Sequence, residues 1–230
     1  MSPAQRLKVA AASAAFAGVV LTGMFLTSTR GRAQDSGDDA SSKIEQGFEI
    51  APVPLNMAGK DRALVGLGSY IVNAQGDCDG CHSAGPPTEF GRGANPYFGQ
   101  PETINTATYL GGGRHFQIAP NFPDIISRNL TPDKTGLPEG GRSFAEFVQI
   151  IRTGADLDHL HPACSATITT NCFPTGPPNP PFDGDLLQVM PWPIYKNMTD
   201  HDLRAIYEYL SAIPCIAGPP APSPLHNECQ

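Results

Sequence analysis

Three well-separated stretches of the chain carry apolar residues at helical spacing. In Asp61 to Ala74, Leu64, Leu67, Gly68, Ile71 and Val72 lie near one face, Asp61 stands where it can cap the first turn, and Gly76 ends the run. Ser143 to Glu146 form a capping box; Phe144, Phe147, Val148 and Ile151 then recur at i, i+3, i+4 and i+7 until Gly154 closes the helix. Thr199-Asp200-His201-Asp202 opens a third helix, with Leu203, Ile206, Tyr207, Leu210 and Ile213 on one face. A glycine inside a helix costs about 1 kcal/mol against alanine. Gly68 therefore predicts a close approach by another helix.

Between these helices the pattern is irregular. Residues 88–130 have few periodic apolar positions and include Gly111-Gly112-Gly113, so they read as loop wrapped around something. Asn129-Leu130-Thr131-Pro132-Asp133 reads as a turn leading into a short acidic-capped element. Residues 155–189 form a Pro/Asn/Thr-rich insertion. A loop this long in a compact domain is unusual and often functional; it could cover a cofactor edge, dock a partner or be a plain insertion. Residues 34–59 read as a flexible linker whose Asp/Ser/Gly-rich start is expected to be disordered. Residues 214–230 read as a Pro-rich tail, which leaves residues 60–213 as the folded domain. The expected fold class is mainly α, with few helices and long loops.

Composition sharpens this picture. The 230 residues include 24 glycines and 24 prolines, so a core of regular elements alone would be small and a large apolar cofactor would help fill it. Residues 1–33 read as a secretory signal peptide: Arg6 and Lys8 precede the uncharged run Val9 to Leu26, and Gly31-Arg32-Ala33 is a small-x-small cleavage site. The run is also just long enough to span a bilayer as a retained N-terminal anchor. Export predicts a periplasmic protein and an oxidising compartment. The net charge is −7, and the leader holds basic residues and no acidic one, so the remainder is more acidic still. Such a surface argues against nucleic acid and for a partner with a basic docking face.

The densest chemistry is Cys78-Asp79-Gly80-Cys81-His82. Two cysteines three apart with a histidine directly after them form the attachment pattern of a c-type haem. Both thiols on one tight turn can add to the porphyrin vinyl groups, and His82 then lies under the ring with an imidazole nitrogen for the iron. A zinc site needs about four N/S ligands, and no second close Cys/His pair completes one. A thioredoxin-like pair follows a strand, whereas Cys78 follows a predicted helix. One covalently attached haem c is the expected cofactor. Cys164, Cys172, Cys215 and Cys229 remain. Of their three pairings, Cys164–Cys172 and Cys215–Cys229 each clasp a short loop and are expected. A backbone carbonyl in the turn after His82 is the expected acceptor for its second ring nitrogen.

The sixth iron position decides function. Met190 precedes Pro191 on a loop upstream of the last helix and offers one thioether. A methionine opposite histidine raises the reduction potential and suits electron transfer. Met198 is the main rival, Met57 a remote one, and His115, His159, His161, His201 and His226 offer bis-histidine alternatives.

These residues together resemble the class I c-type cytochromes: a helix running into CDGCH, a Met-Pro loop, and a final amphipathic helix. Asn129–Asp133, the Ser143–Phe147 helix start and the run from Met190-Pro191-Trp192 to Leu210 further resemble the monohaem units in cytochrome subunits of bacterial alcohol dehydrogenases. The resemblance covers residues 60 to 213. It implies thioethers at Cys78 and Cys81, His82 as proximal and Met190 as distal ligand, and a crossing of Gly68 with Tyr207. It departs from the pattern in its single haem motif and its long insertion. The implied function is single-electron transfer between redox proteins. Alternatives are electron relay within a membrane-associated dehydrogenase or oxidase assembly, and a five-coordinate haem enzyme or gas binder.

Overall fold

The computed structural model describes residues 37–117, 124–158, 185–223 and 225–230. Residues 1–43 and 44–230 form two units. The described part of the first, residues 37–43, is helical, and Lys43 pairs with Asp39 at 2.7 Å. The second unit opens with α1 (residues 44–50). It continues with α2 (Arg62–Tyr70), which passes into a π-helical turn at Ile71–Gln75. Three short elements follow: α3 (Cys78–His82), α4 (Pro86–Glu89) and a 3₁₀ turn at Pro96–Phe98. Strands β1 (His115–Phe116) and β2 (Ile125–Ile126) pair antiparallel. Then come α5 (Phe144–Thr153), the one-turn α6 (Trp192–Tyr195) and α7 (Asp200–Leu210). The described residues are thus mostly helical with few strands, in keeping with the expected fold class.

The caps form as the sequence predicts. Asp61 accepts from the amides of Ala63 and Leu64, and Ser143 and Glu146 close a reciprocal capping box. Gly154 ends α5 at φ +73°, a left-handed position natural to glycine. Thr199 caps α7 by accepting from the Asp202 amide.

The core lies where α2 crosses α7 and α5 packs against α7. Val65, Val72, Tyr109, Leu110, Leu203, Tyr209 and Leu210 are buried there. Gly68 does mark a close approach: a Cβ at this position would stand 2.0 Å from the Ala205 carbonyl oxygen and 2.7 Å from Tyr209 Cβ. The crossing is therefore with Ala205 and Tyr209, not with Tyr207. Tyr207 points to the other side, packs against Phe144 and Phe147, and donates to the Arg142 carbonyl.

The expected linker at residues 34–59 departs from expectation in its described part. Residues 44–50 are helical because Gly47 lets α1 press on α2: a Cβ on Gly47 would stand 1.9 Å from the Gly66 carbonyl oxygen. Ser69 donates to the Gly47 carbonyl at 2.6 Å. Val53 is buried, and Leu55 and Met57 pack against the core. In the tail, Cys215 and Cys229 are joined by a disulfide, as expected. The expected Cys164–Cys172 pair and most of the 155–189 insertion lie outside the described residues. Among the described residues no helix is long and apolar enough to cross a membrane.

Candidate functional site

A cavity of about 390 Å³ opens between the Cys-X-X-Cys-His helix and the segment before α6. Cys78, Cys81, His82 and Met190 all line it, although more than a hundred residues separate the motif from the methionine. Ile125 and Ile126 of β2 and Phe116 of β1 add apolar wall, and Tyr195 closes the α6 side.

The motif enters through unusual backbone. Asp77 takes a left-handed conformation, φ +45° and ψ +46°, at the start of α3. Gly76 leaves room for the first sulfur, since a Cβ there would stand 3.0 Å from Cys78 Sγ. Cys78 and Cys81 are free thiols. Burial, with Asp77 nearby, pushes the Cys78 thiol up to about 12. Asp79, between the two cysteines, accepts from the Leu110 amide at 2.8 Å and ties the motif to the core.

His82 is fixed at both its ring and its backbone. Its Nδ1 donates to the Arg128 carbonyl oxygen at 2.7 Å, which leaves Nε2 with a free lone pair. Burial holds the imidazole below its ordinary value, and the Arg128 guanidinium acts the same way against the raising effect of that hydrogen bond; the neutral, ligating form is favoured. The expected acceptor in the turn at residues 83–87 is thus replaced by a carbonyl 46 residues downstream. Gly112 explains how it gets there. Its amide donates to the His82 carbonyl, and a Cβ on it would stand 2.5 Å from the Arg128 carbonyl oxygen. Only a glycine fits, at φ +70°, between the backbone of His82 and the carbonyl that holds its ring. Arg128 is itself held by Asp156 at 2.8 Å and Asp158 at 3.3 Å.

Met190 sits on the bend before α6, where the Trp192 amide donates to its carbonyl at 2.8 Å. The Trp192 indole covers Gly154 and donates to the Leu187 carbonyl at 3.1 Å. On the far side Arg152 donates to the Lys196 and Met198 carbonyls and pairs with Asp200 at 2.6 Å. The end of α5 therefore clamps the methionine segment on both flanks. Met57 and Met198 pack on the core and do not line the cavity. Of the alternative histidines, His226 also lines it, with Nδ1 against the Pro219 carbonyl; His115 and His201 do not, and His159 and His161 lie outside the described residues.

The sequence reading missed Arg128, Gly112 and the cavity-lining Glu139. Gly111-Gly112-Gly113 was the available signal, since three adjacent glycines mark close backbone approach. The donor set suits a large, mostly apolar group carrying a soft metal position: two thiols, an imidazole with free Nε2 and a thioether. A c-type haem fits these residues. Among the described residues no cluster of three or more His, Cys, Asp or Glu offers a separate metal site.

No family model and no solved structure matches the chain. Curated relatives do. The chain is 29% identical over 171 residues, 74% of its length, to the cytochrome c subunit of a quinone-dependent alcohol dehydrogenase from Gluconacetobacter polyoxogenes. It is 30% identical over 150 residues, 64% of its length, to the gluconate 2-dehydrogenase cytochrome c subunit of Pantoea cypripedii. It is 27% identical over 166 residues, 70% of its length, to a nicotinate dehydrogenase subunit from Pseudomonas putida. The matches span 25%, 22% and 10% of those proteins, so the chain covers a quarter of their length or less. Over most of its own length, the chain is similar to cytochrome c subunits of dehydrogenases.

Proposed function

We propose that this chain is an exported monohaem c-type cytochrome of the class I type, passing single electrons between periplasmic redox partners. The observation that carries the reading is the convergence of Cys78, Cys81, His82 and Met190 on one cavity. In this reading Cys78 and Cys81 would hold the haem by thioethers, and His82 Nε2 and Met190 would supply the protein ligands to its iron. When bound, the haem supplies an iron that changes its charge by one on electron transfer.

The residues of the chain do the rest. The Arg128 carbonyl holds the His82 ring through Nδ1, which keeps its tautomer and strengthens Nε2 as a donor. The Trp192 and Arg152 contacts fix the approach of Met190. Phe116, Ile125 and Ile126 exclude water from the ring, which limits reorganisation between the two charge states. No residue of the site is assigned to substrate chemistry. The acidic surface suits a donor or acceptor with a basic docking face, and the leader and the Cys215–Cys229 disulfide suit the periplasm.

A second reading, an electron-relay subunit of a membrane-associated dehydrogenase, is favoured by the names of the similar proteins. The test is expression with export and haem-attachment machinery, followed by the mass and visible spectrum of the denatured chain. One haem that survives denaturation, and is lost in Cys78→Ala/Cys81→Ala, is expected. An exported chain with no bound haem contradicts the proposal. Co-purification with a larger flavin- or quinone-dependent partner selects the relay reading.

A further inference from the structure

Glu139 stands out as a carboxyl with one buried, unpaired oxygen that the electron-transfer reading leaves without a task. It occupies the turn Pro138–Gly141, where three successive residues have left-handed backbone: Glu139 at φ +50°, Gly140 at +67° and Gly141 at +101°. For a non-glycine residue this conformation is strained by about 1 kcal/mol or more. The turn is packed in place: a Cβ on Gly140 would stand 3.1 Å from Asn227 Oδ1, and one on Gly141 would stand 2.8 Å from Asp133 Oδ2. The strained backbone turns the Glu139 side chain inward to the wall of the haem cavity. The residue as a whole is half-buried, yet its Oε2 is inaccessible and has no hydrogen-bond partner.

The surrounding charges do not account for it. Arg142, on the same turn, pairs with Asp158 and approaches Glu146 at 3.6 Å. Arg128, from the segment after β2, binds Asp156 and Asp158. His226 faces the same cavity from the tail, and Tyr207 faces this region from α7. Both guanidinium groups are thus already matched by carboxylates. Glu139 is an additional acid, facing the space that Cys78, Cys81, His82 and Met190 share.

We propose that Glu139 is a proton-binding site coupled to the haem, taking up a proton from water as an electron enters and releasing it as the electron leaves. This rests on the electron-transfer reading above. The balance is one electron from the donor protein and one proton from bulk water added to the carboxylate, with both reversed on oxidation. The physical cause is electrostatic: the more positive oxidised iron favours the carboxylate, and once that charge is lost, burial favours the neutral acid. The Glu139 carboxyl is pushed up to about 7 by burial, against the opposing pull of Arg142, which sets the coupling near neutral pH.

The test is the midpoint potential of wild type and Glu139→Gln from about pH 5 to pH 9, a range that brackets a carboxyl raised to neutrality. Wild type is expected to fall in potential as pH rises through neutrality and to level off on either side. A tenfold difference in proton affinity between the two redox states corresponds to 59 mV. Glu139→Gln is expected to lose that fall while keeping its haem spectrum. The second readout is the redox-difference infrared spectrum of wild type, where a protonated carboxyl C=O band should appear on reduction. A wild-type potential that is flat through neutrality overturns the proposal, as does a full slope retained in Glu139→Gln. If the variant does not fold, a wild-type infrared spectrum without the carboxyl band overturns it. In each of those cases a normal haem spectrum leaves the functional reading standing. A chain without haem overturns both.

Discussion

His82 Nδ1 donates to the carbonyl oxygen of Arg128 at 2.7 Å, and Gly112 is the residue that lets the two meet. The His82 ring is oriented by backbone, not by a neighbouring side chain, and by a segment far from it in sequence. That makes its orientation sensitive to a position that touches no cofactor.

Gly112→Ala is expected to displace the Arg128 carbonyl, because the new Cβ would stand 2.5 Å from its oxygen and the alanine would also be strained at φ +70°. A loss of about 2 kcal/mol in unfolding free energy is expected from overpacking. The reduction potential should rise in parallel, since a weaker Nδ1 hydrogen bond makes His82 a poorer donor. Denaturant unfolding and redox titration check this. Wild-type values in both would remove Gly112 from the account.

Arg128→Gln removes a guanidinium that is largely buried between Asp156 and Asp158. Breaking such a pair from one side costs about 3 kcal/mol. The backbone carbonyl survives the change, so the variant should bind haem with a normal spectrum while unfolding at lower denaturant. Loss of haem ligation at unchanged stability would assign Arg128 a different role.

Asp79 gives the pH dependence of folding. Burial raises its carboxyl from 3.8 to about 7, against the lowering effect of the Leu110 hydrogen bond. The folded chain therefore holds more protons than the unfolded chain between those values. The contribution of this group to stability is complete below about pH 4 and declines as pH rises through 7. The decline from this group is on the order of a few kcal/mol. Asp79→Asn keeps an oxygen for the Leu110 amide and should flatten much of the decline, leaving the share due to Glu139. An unchanged pH profile in Asp79→Asn would show that Asp79 is charged in the fold.

The legible parts of this protein were the local ones. The α2, α5 and α7 caps depend on residues within one turn, so Asp61, Ser143/Glu146 and Thr199 announced them. Gly68 announced a helix crossing, and the resemblance named the last helix as its partner, but the facing residues were not legible, because the facing register of two helices is not written in the periodicity of either. The helical residues 44–50 were misread as linker because their key contact is made by the missing side chain of Gly47. The motif Cys78–His82 and the Met190-Pro191 bend were legible as chemistry, and the structure brings them to one cavity. The Arg128 carbonyl was not, since any residue supplies a carbonyl. Glu139 was hidden because Pro-Glu-Gly-Gly reads as an exposed polar turn.

The most direct measurement is the absorption spectrum of the exported protein, oxidised and reduced, for wild type beside Met190→Ala, with His226→Ala as the rival ligand. The account predicts a low-spin wild type with the weak long-wavelength band of an iron–thioether bond. That band should vanish in Met190→Ala and persist in His226→Ala. A high-spin wild type, or a Met190→Ala spectrum identical to wild type, would contradict His82/Met190 ligation and the electron-carrier function built on it.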